Sequence, residues 1–148
     1  MNLRAASVED IESIQKLRME MLKEVAKSLP YDLPDAIHEY LNTHIRDGSC
    51  LCVLLENEEG VIGKAMLCMY EVMPDEKNTS GKCATLFSVY TLPKHRGHGY
   101  MEKLLHYLLE KAKEAGVKEV FASAEKKAIP LYQRLGFTFK DNEMSIRL

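Results

Sequence analysis

The chain has 148 residues, 46% apolar and 28% charged, with 20 Lys plus Arg against 22 Asp plus Glu and a formal net charge of −2. This balance excludes a disordered chain, a collagen-like repeat and a disulfide-stapled miniprotein, and the length fits one domain, residues 1–148, with a full core. A near-neutral chain also lacks the basic surface that phosphate neutralisation demands, so nucleic acid is not an expected partner.

No window approaches the roughly 18 apolar residues of a membrane span, and no membrane partner is expected. The opening residues run from Met1 to Ala5 into Glu9, Asp10 and Glu12, not into an apolar leader. The expected compartment is therefore the cytoplasm. Cys50, Cys52, Cys68 and Cys83 then read as reduced thiols. Cys50 and Cys52 share one face of a strand and behave as small buried hydrophobes.

In chain order, residues 2–5 read as a short strand. Apolar residues then recur every three or four positions, at Val8, Ile11, Ile14, Leu17, Met21, Leu22 and Val25. That spacing predicts an amphipathic helix over 8–26, with Ser7 as its cap. Leu29-Pro30 ends it, and a second helix runs from Pro34 to about Ile45, stopping near Gly48. Residues 50–55 and 61–73 predict two strands of a hairpin around Asn57-Glu58-Glu59-Gly60. A polar loop over 74–82 leads to a strand at 84–91, closed by Pro93.

Met101, Leu104, Leu105, Leu108, Leu109 and Ala112 form one helical stripe, with Glu102, Lys103, Glu110, Lys111, Lys113 and Glu114 opposite. Ala115-Gly116 closes that helix. A strand follows at 117–123 and a short helix at 128–135, with Gly136 as its stop. Two last strands are expected at 137–140 and 143–148. The predicted order is βααβββαβαββ: an α/β (α+β) fold with about four helices on a mixed, mostly antiparallel sheet of six to seven strands.

The segment richest in chemistry is Pro93-Lys94-His95-Arg96-Gly97-His98-Gly99-Tyr100. It joins a strand to the strongest helix. Its two glycines let backbone approach a ligand, and the helix behind them presents free N–H groups and the positive end of its dipole. Lys94, Arg96 and Lys103 add positive charge. A phosphate or pyrophosphate cradle results, and a plain glycine-rich connection is the other reading. A Walker loop is excluded because no Gly-Lys-Ser/Thr follows. The third glycine of a dinucleotide fingerprint would fall at Glu102.

Thr91-Leu92-Pro93 with Lys94 to Gly99 resembles the acetyl-CoA loop of the GNAT superfamily of N-acyltransferases, Gln/Arg-x-x-Gly-x-Gly/Ala after Val-x-Pro. Ala128-Ile129-Pro130-Leu131-Tyr132-Gln133-Arg134-Leu135-Gly136-Phe137 resembles that family's Ala-x-x-Leu-Tyr-x-x-x-Gly-Phe block. Leu3-Arg4-Ala5-Ala6 before Glu9-Asp10 fits its usual opening. The sequence departs from the pattern at Lys94 (usually Gln or Arg), Met101 (usually small) and Glu125 (often Asn).

The resemblance implies an acetyl-CoA-dependent N-acetyltransferase acting on a primary amine of a small molecule or peptide, as a monomer or homodimer. It places the pyrophosphate on the N–H groups from Arg96 through Gly97, His98, Gly99 and Tyr100 to Met101, with Lys94 beside them. It lays the pantetheine arm along Val89, Tyr90 and Thr91, between two strands that splay apart, and makes Tyr132 the catalytic acid that meets the departing thiolate. The N–H of Val89 or Tyr90 is the candidate oxyanion donor. No metal is implied.

The base is left open between Glu71, Glu125, His95 and His98, because 84–91 contains no carboxylate. The two N-terminal helices and the 71–82 segment would build the acceptor site; Glu20, Glu24 and Asp32 read first as solvated helix faces and second as groups that draw a cationic amine. The missing strand carboxylate keeps a non-catalytic acyl-CoA-binding regulatory module as the alternative. A nucleotide-binding regulatory domain is a third reading.

Overall fold

The computed structural model describes residues 1–148. Its elements are β1 (Asn2–Ala5), α1 (Ile11–Val25), α2 (Leu33–Arg46), β2 (Cys50–Asn57), β3 (Gly60–Glu71), β4 (Lys82–Thr91), α3 (Tyr100–Glu114), β5 (Glu119–Ala122) and α4 (Ile129–Arg134). The strands form one sheet in the order β1-β2-β3-β4-β5. The first three pairings are antiparallel and β4–β5 is parallel. No helix is long and apolar enough to cross a membrane.

Strand alternation sorts the core into two layers. Cys50, Cys52, Leu54 and Met66 face α1 and α2, where Ile11, Ile14 and Leu41 cover them. Val53, Leu55, Ala65 and Leu67 face α3, whose Leu104, Leu105 and Leu108 are fully enclosed. With both faces covered, β2 and β3 read as continuous apolar runs. Cys50, Cys52 and Cys83 are buried free thiols, and Cys68 is half-buried. Burial pushes the Cys50 and Cys52 thiols up to about 12.

The entry to α1 is fixed by charge. Arg4 on β1 grips Asp10 at 2.7 Å and Glu56 on β2 at 2.8 Å. Asp10 also accepts the Ser7 N–H at 2.8 Å. The helix therefore begins at a fixed place relative to the sheet edge.

The sheet has five strands, not six to seven. Residues 137–148 form no strand, although Met144, Ile146 and Leu148 alternate as a strand would. Alternation makes a strand only where a sheet edge pairs with it. Here the chain leaves α4 and is fastened to β5 by a side chain: Lys140 lies 3.1 Å from Glu119 and over the Phe121 ring at 4.7 Å. Met144 and Ile146 remain 97% and 81% exposed. The four helices match expectation.

Gly63 couples the sheet to the helix behind the glycine loop. A Cβ there would stand 3.2 Å from Leu104 Cδ1 and 3.3 Å from both Thr91 Oγ1 and the Tyr90 carbonyl. We expect Gly63→Ala to cost about 1–3 kcal/mol through overpacking, read as a lower urea midpoint at unchanged m-value.

Candidate active site

β4 and β5 pair only from Cys83↔Glu119 to Leu86↔Ala122. β5 then ends, while β4 continues through Phe87 to Thr91. The edge of β4 that faced β5 is left open, as a slot between parting strands.

At the same place β4 bulges. Lys64 pairs with Tyr90 and Met66 with Phe87, so Ser88 and Val89 stand opposite the single residue Ala65. Ser88 has φ 53°, the left-handed region that a non-glycine residue rarely adopts. A bulge leaves its extra residue out of the ladder and re-aims the strand. Val89 and Tyr90, the predicted oxyanion donors, lie within this distortion.

The predicted cradle follows directly. Gly97 and Gly99 have φ 81° and 76°, and the space a Cβ would enter at either is open. Gly99 caps α3 with no side-chain hydrogen bond to its first N–H groups. The N–H groups at Tyr100 and Met101 thus begin a helix with no protein side chain competing for them. The arrangement fits a pyrophosphate, and the fit is made by backbone.

The cationic side chains of the loop are committed elsewhere. Lys94 Nζ lies 2.6 Å from Glu59, which His95 also contacts at 3.2 Å. Arg96 lies 3.0 Å from Glu24 of α1, donates from Nε to the Thr91 carbonyl at 2.8 Å, and covers the Tyr90 ring at 5.2 Å. Tyr90 donates its hydroxyl proton to Glu24 at 2.6 Å. These two partners hold the Glu24 carboxyl below its usual range. Burial, then the Glu24 charge, pushes the Tyr90 phenol up to about 12. His98 stacks on Tyr100 at 5.3 Å. The Thr91 hydroxyl is buried without a partner, beside Gly63 of β3.

Tyr132 sits on α4 just past the end of β5, packed against Phe137 at 5.4 Å between ring centroids. It lines a cavity of about 220 Å³ with Ala122, Ile129 and Phe137. Its hydroxyl is its only proton-donating group, and burial, aided by the Glu125 charge, raises its pKa. Because β4 and β5 are parallel, their C-terminal ends lie at one end of the sheet. The bulge and the glycine loop lie there, and the cavity that Tyr132 lines reaches Ala122 at the end of β5.

Residues 11–137 match the acetyltransferase (GNAT) family. The chain belongs to this family.

Its fold is shared with a predicted acetyltransferase from Clostridium acetobutylicum solved with acetyl-CoA, at TM-score 0.90 and 23% identity over 99% of this chain and 95% of that one. A GCN5-related N-acetyltransferase from Ralstonia eutropha JMP134 follows at TM-score 0.87 and 22% identity, covering 99% and 97%. Rat N-acetyltransferase family 8 member 2 is 32% identical over 117 residues, 76% of this chain and 47% of that protein. Human N-acetyltransferase 8 is 31% identical over 117 residues, 76% and 48% respectively. The chain thus spans about half the length of these two relatives.

Within this GNAT fold the geometry sorts the candidate bases. Glu71 pairs with Lys82 at the start of β4. Six residues separate Lys82 from Ser88, roughly 20 Å of strand, so Glu71 and the 71–82 segment lie at the wrong end. Glu125 is exposed and loosely paired with Lys127 at 3.9 Å. His95 and His98 belong to the glycine loop, and Asp32 is exposed at the start of α2.

Lys64 went unnoticed in the sequence. It is fully buried, and its Nζ donates to the Ser88 carbonyl at 2.9 Å and to the Ser88 hydroxyl. No carboxylate compensates it. Burial, reinforced by the Arg18 charge, brings its pKa down to about 7. A lysine inside Val61-Ile62-Gly63-Lys64-Ala65-Met66 was the available signal, since an isolated charge in a buried strand is rare.

Between about pH 7 and the unfolded lysine value near 10.5, the unfolded chain holds a proton that native Lys64 does not. Stability then rises with pH across that window, by at most about 1.4 kcal/mol per unit. The groups facing Lys64 are Arg18 on α1, Cys50 and Cys52 on β2, and Ser88 and Tyr90 on β4, and none of them changes charge in the native state from pH 7 to 9. We expect the stability difference between wild type and Lys64→Met to shift by roughly 2 kcal/mol in favour of wild type from pH 7 to 9. Urea unfolding at the two pH values measures it, and a constant difference would place Lys64 in a wetter environment.

Proposed function

We propose that this GNAT domain transfers an acetyl group from acetyl-CoA to a primary amine by direct attack on the thioester. The observation that carries the reading is the opening of β4 from β5 after Leu86, at the same end as the Gly97–Gly99 cradle and Tyr132. Acetyl-CoA supplies the acetyl group in activated form. The open edge over Val89, Tyr90 and Thr91 offers backbone pairing to an extended pantetheine arm. Arg96 to Met101 offer N–H groups to the pyrophosphate.

The N–H of Val89 or Tyr90 stabilises negative charge developing on the carbonyl oxygen. Tyr132 donates a hydrogen bond to the departing sulfur. Its raised pKa keeps the phenol protonated, which suits donation and makes complete proton transfer uphill against a thiol near 8.5. An alkylamine with pKa about 10.4 must lose its proton before attack. Glu24 is a weak base because Tyr90 and Arg96 already stabilise its charge. Partial desolvation beside the Arg18 charge favours the neutral amine instead.

Two substitutions test the two halves. Gly99→Val places a β-branched side chain at positive φ and fills the phosphate's approach. We expect it to abolish calorimetric CoA binding and the accompanying rise in melting temperature. Tyr132→Phe should lower kcat about ten- to hundred-fold at nearly unchanged acetyl-CoA affinity, the loss expected for one hydrogen bond to developing charge. Thiol release across an amine panel measures it. Tight CoA binding with no thiol release from any amine would leave a non-catalytic acyl-CoA-binding module.

A further inference from the structure

A cavity of about 260 Å³ lies between α1, α2 and the sheet, walled by Ile14, Ile37, Tyr40, Met66 and Phe87, with Arg18 as its one charged lining residue. Arg18 is half-buried and has no carboxylate. Arg4 pairs with Asp10 and Glu56, Arg96 with Glu24 and Arg134 with Glu102, while Arg46 and Arg147 stand exposed. Burial lowers the Arg18 pKa, and its charge helps to push buried Lys64 toward the neutral form. Glu24 on the same helix is taken by Tyr90 and Arg96, and Glu20 lines a different cavity beside Lys16. This apolar chamber has positive charge at its wall and no protein anion to answer it.

Its position relates it to the reaction. Phe87 lines the chamber and directly precedes Ser88, where β4 bulges. The chamber thus adjoins the first residue of β4 beyond its last pair with β5.

We infer that the acceptor is a free α-amino acid with an apolar side chain, its carboxylate held by Arg18 and its side chain in the Ile14–Ile37–Tyr40–Met66–Phe87 chamber. The inference rests on the acetyl-transfer reading above and specifies its acceptor. A guanidinium fork matches a planar carboxylate bidentately, and such charge-assisted pairs are the strong ones. The apolar walls accept hydrocarbon and offer little to a polar side chain. A polyamine would bring a second positive charge against Arg18. The second reading of Glu20, Glu24 and Asp32, attraction of a cation, thereby gives way to attraction of an anion. In the transfer, the amine nitrogen forms a bond to the acetyl carbon as the carbon–sulfur bond breaks, and CoA leaves as the thiol with the proton lost by the amine.

The experiment measures thiol release from acetyl-CoA with L-leucine and L-phenylalanine, with isoamylamine and phenethylamine, which lack only the carboxylate, and with spermidine. CoA binding is followed in parallel by calorimetry. We expect each amino acid to exceed its decarboxylated counterpart in kcat/KM by about ten- to hundred-fold, the scale of one charge-assisted pair, and spermidine to be poorest. Arg18→Met should collapse that ratio toward one, mainly through KM for the amino acid, while CoA still binds. Arg18→Lys should retain part of the ratio. The inference is overturned if the decarboxylated amines or spermidine match the amino acids, if the ratio survives Arg18→Met in a protein that binds CoA, or if CoA binds and no amino acid is acetylated. Failure of wild type to bind CoA at all would instead overturn the acetyl-transfer reading beneath it.

Discussion

The site depends on one contact, the buried Lys64 Nζ against the backbone and hydroxyl oxygens of Ser88. β4 must stay paired with β3 along its length while turning its other edge away from β5. An extra residue at Ser88 allows both, but it places a non-glycine residue at φ 53°, a conformation costing about 1–3 kcal/mol unless its surroundings enforce it. Lys64 is the nearest enforcement. It arrives from the adjacent strand, its stem packed in the apolar layer and its nitrogen on the strained residue. Without it, the Ser88 oxygens would lose their buried donor, and an ordinary ladder would compete with the bulge.

The glycine loop divides its labour in a way its composition hides. Lys94 and Arg96 look like phosphate-binding side chains, yet each already meets a carboxylate, Glu59 in the β2–β3 turn and Glu24 on α1. They act as braces that tie the loop to two neighbours. Binding capacity is left to N–H groups, whose direction is set by Gly97, Gly99 and the axis of α3. Exposed ion pairs contribute little stability individually. Here their effect is positional, since Arg96 also ties down the Thr91 carbonyl at the end of β4.

Much of this was legible from local patterns. The helical stripes of α1 and α3, the β2–β3 hairpin, the glycine loop and the α4 block carry their own periodicities and turn residues, and they form where expected. The readings that failed required knowledge of distance. Alternation at Met144, Ile146 and Leu148 could not reveal that no edge receives it. Glu71 looked close to the loop along the chain, but antiparallel pairing put it at the far end of β4. Glu24 looked like a free acid on a solvated helix until the fold brought Tyr90 and Arg96 to it. Lys64 and Arg18 were passed over because lysine and arginine on amphipathic elements are normally solvated. Only the packing of α1 over β3 shows that they are not.

Arg18 and Lys64 also bear on the absence of a strand carboxylate. A general base works by taking a proton, and it must itself be near neutral affinity for that proton. Glu24, stabilised as an anion, has little appetite for one, and Tyr90 and Tyr132 hold theirs more tightly than a free phenol. The same acidity can be produced by acting on the amine. Placing an ammonium near positive charge in a partly desolvated chamber lowers its pKa for the two reasons that lower that of Lys64, burial and a neighbouring cation. Lys64 shows the direction of the effect on this face of the sheet, its pKa brought down to about 7 chiefly by burial. An acceptor amine seated in the chamber loses hydration in the same way, and that desolvation does part of the work a dedicated carboxylate would do.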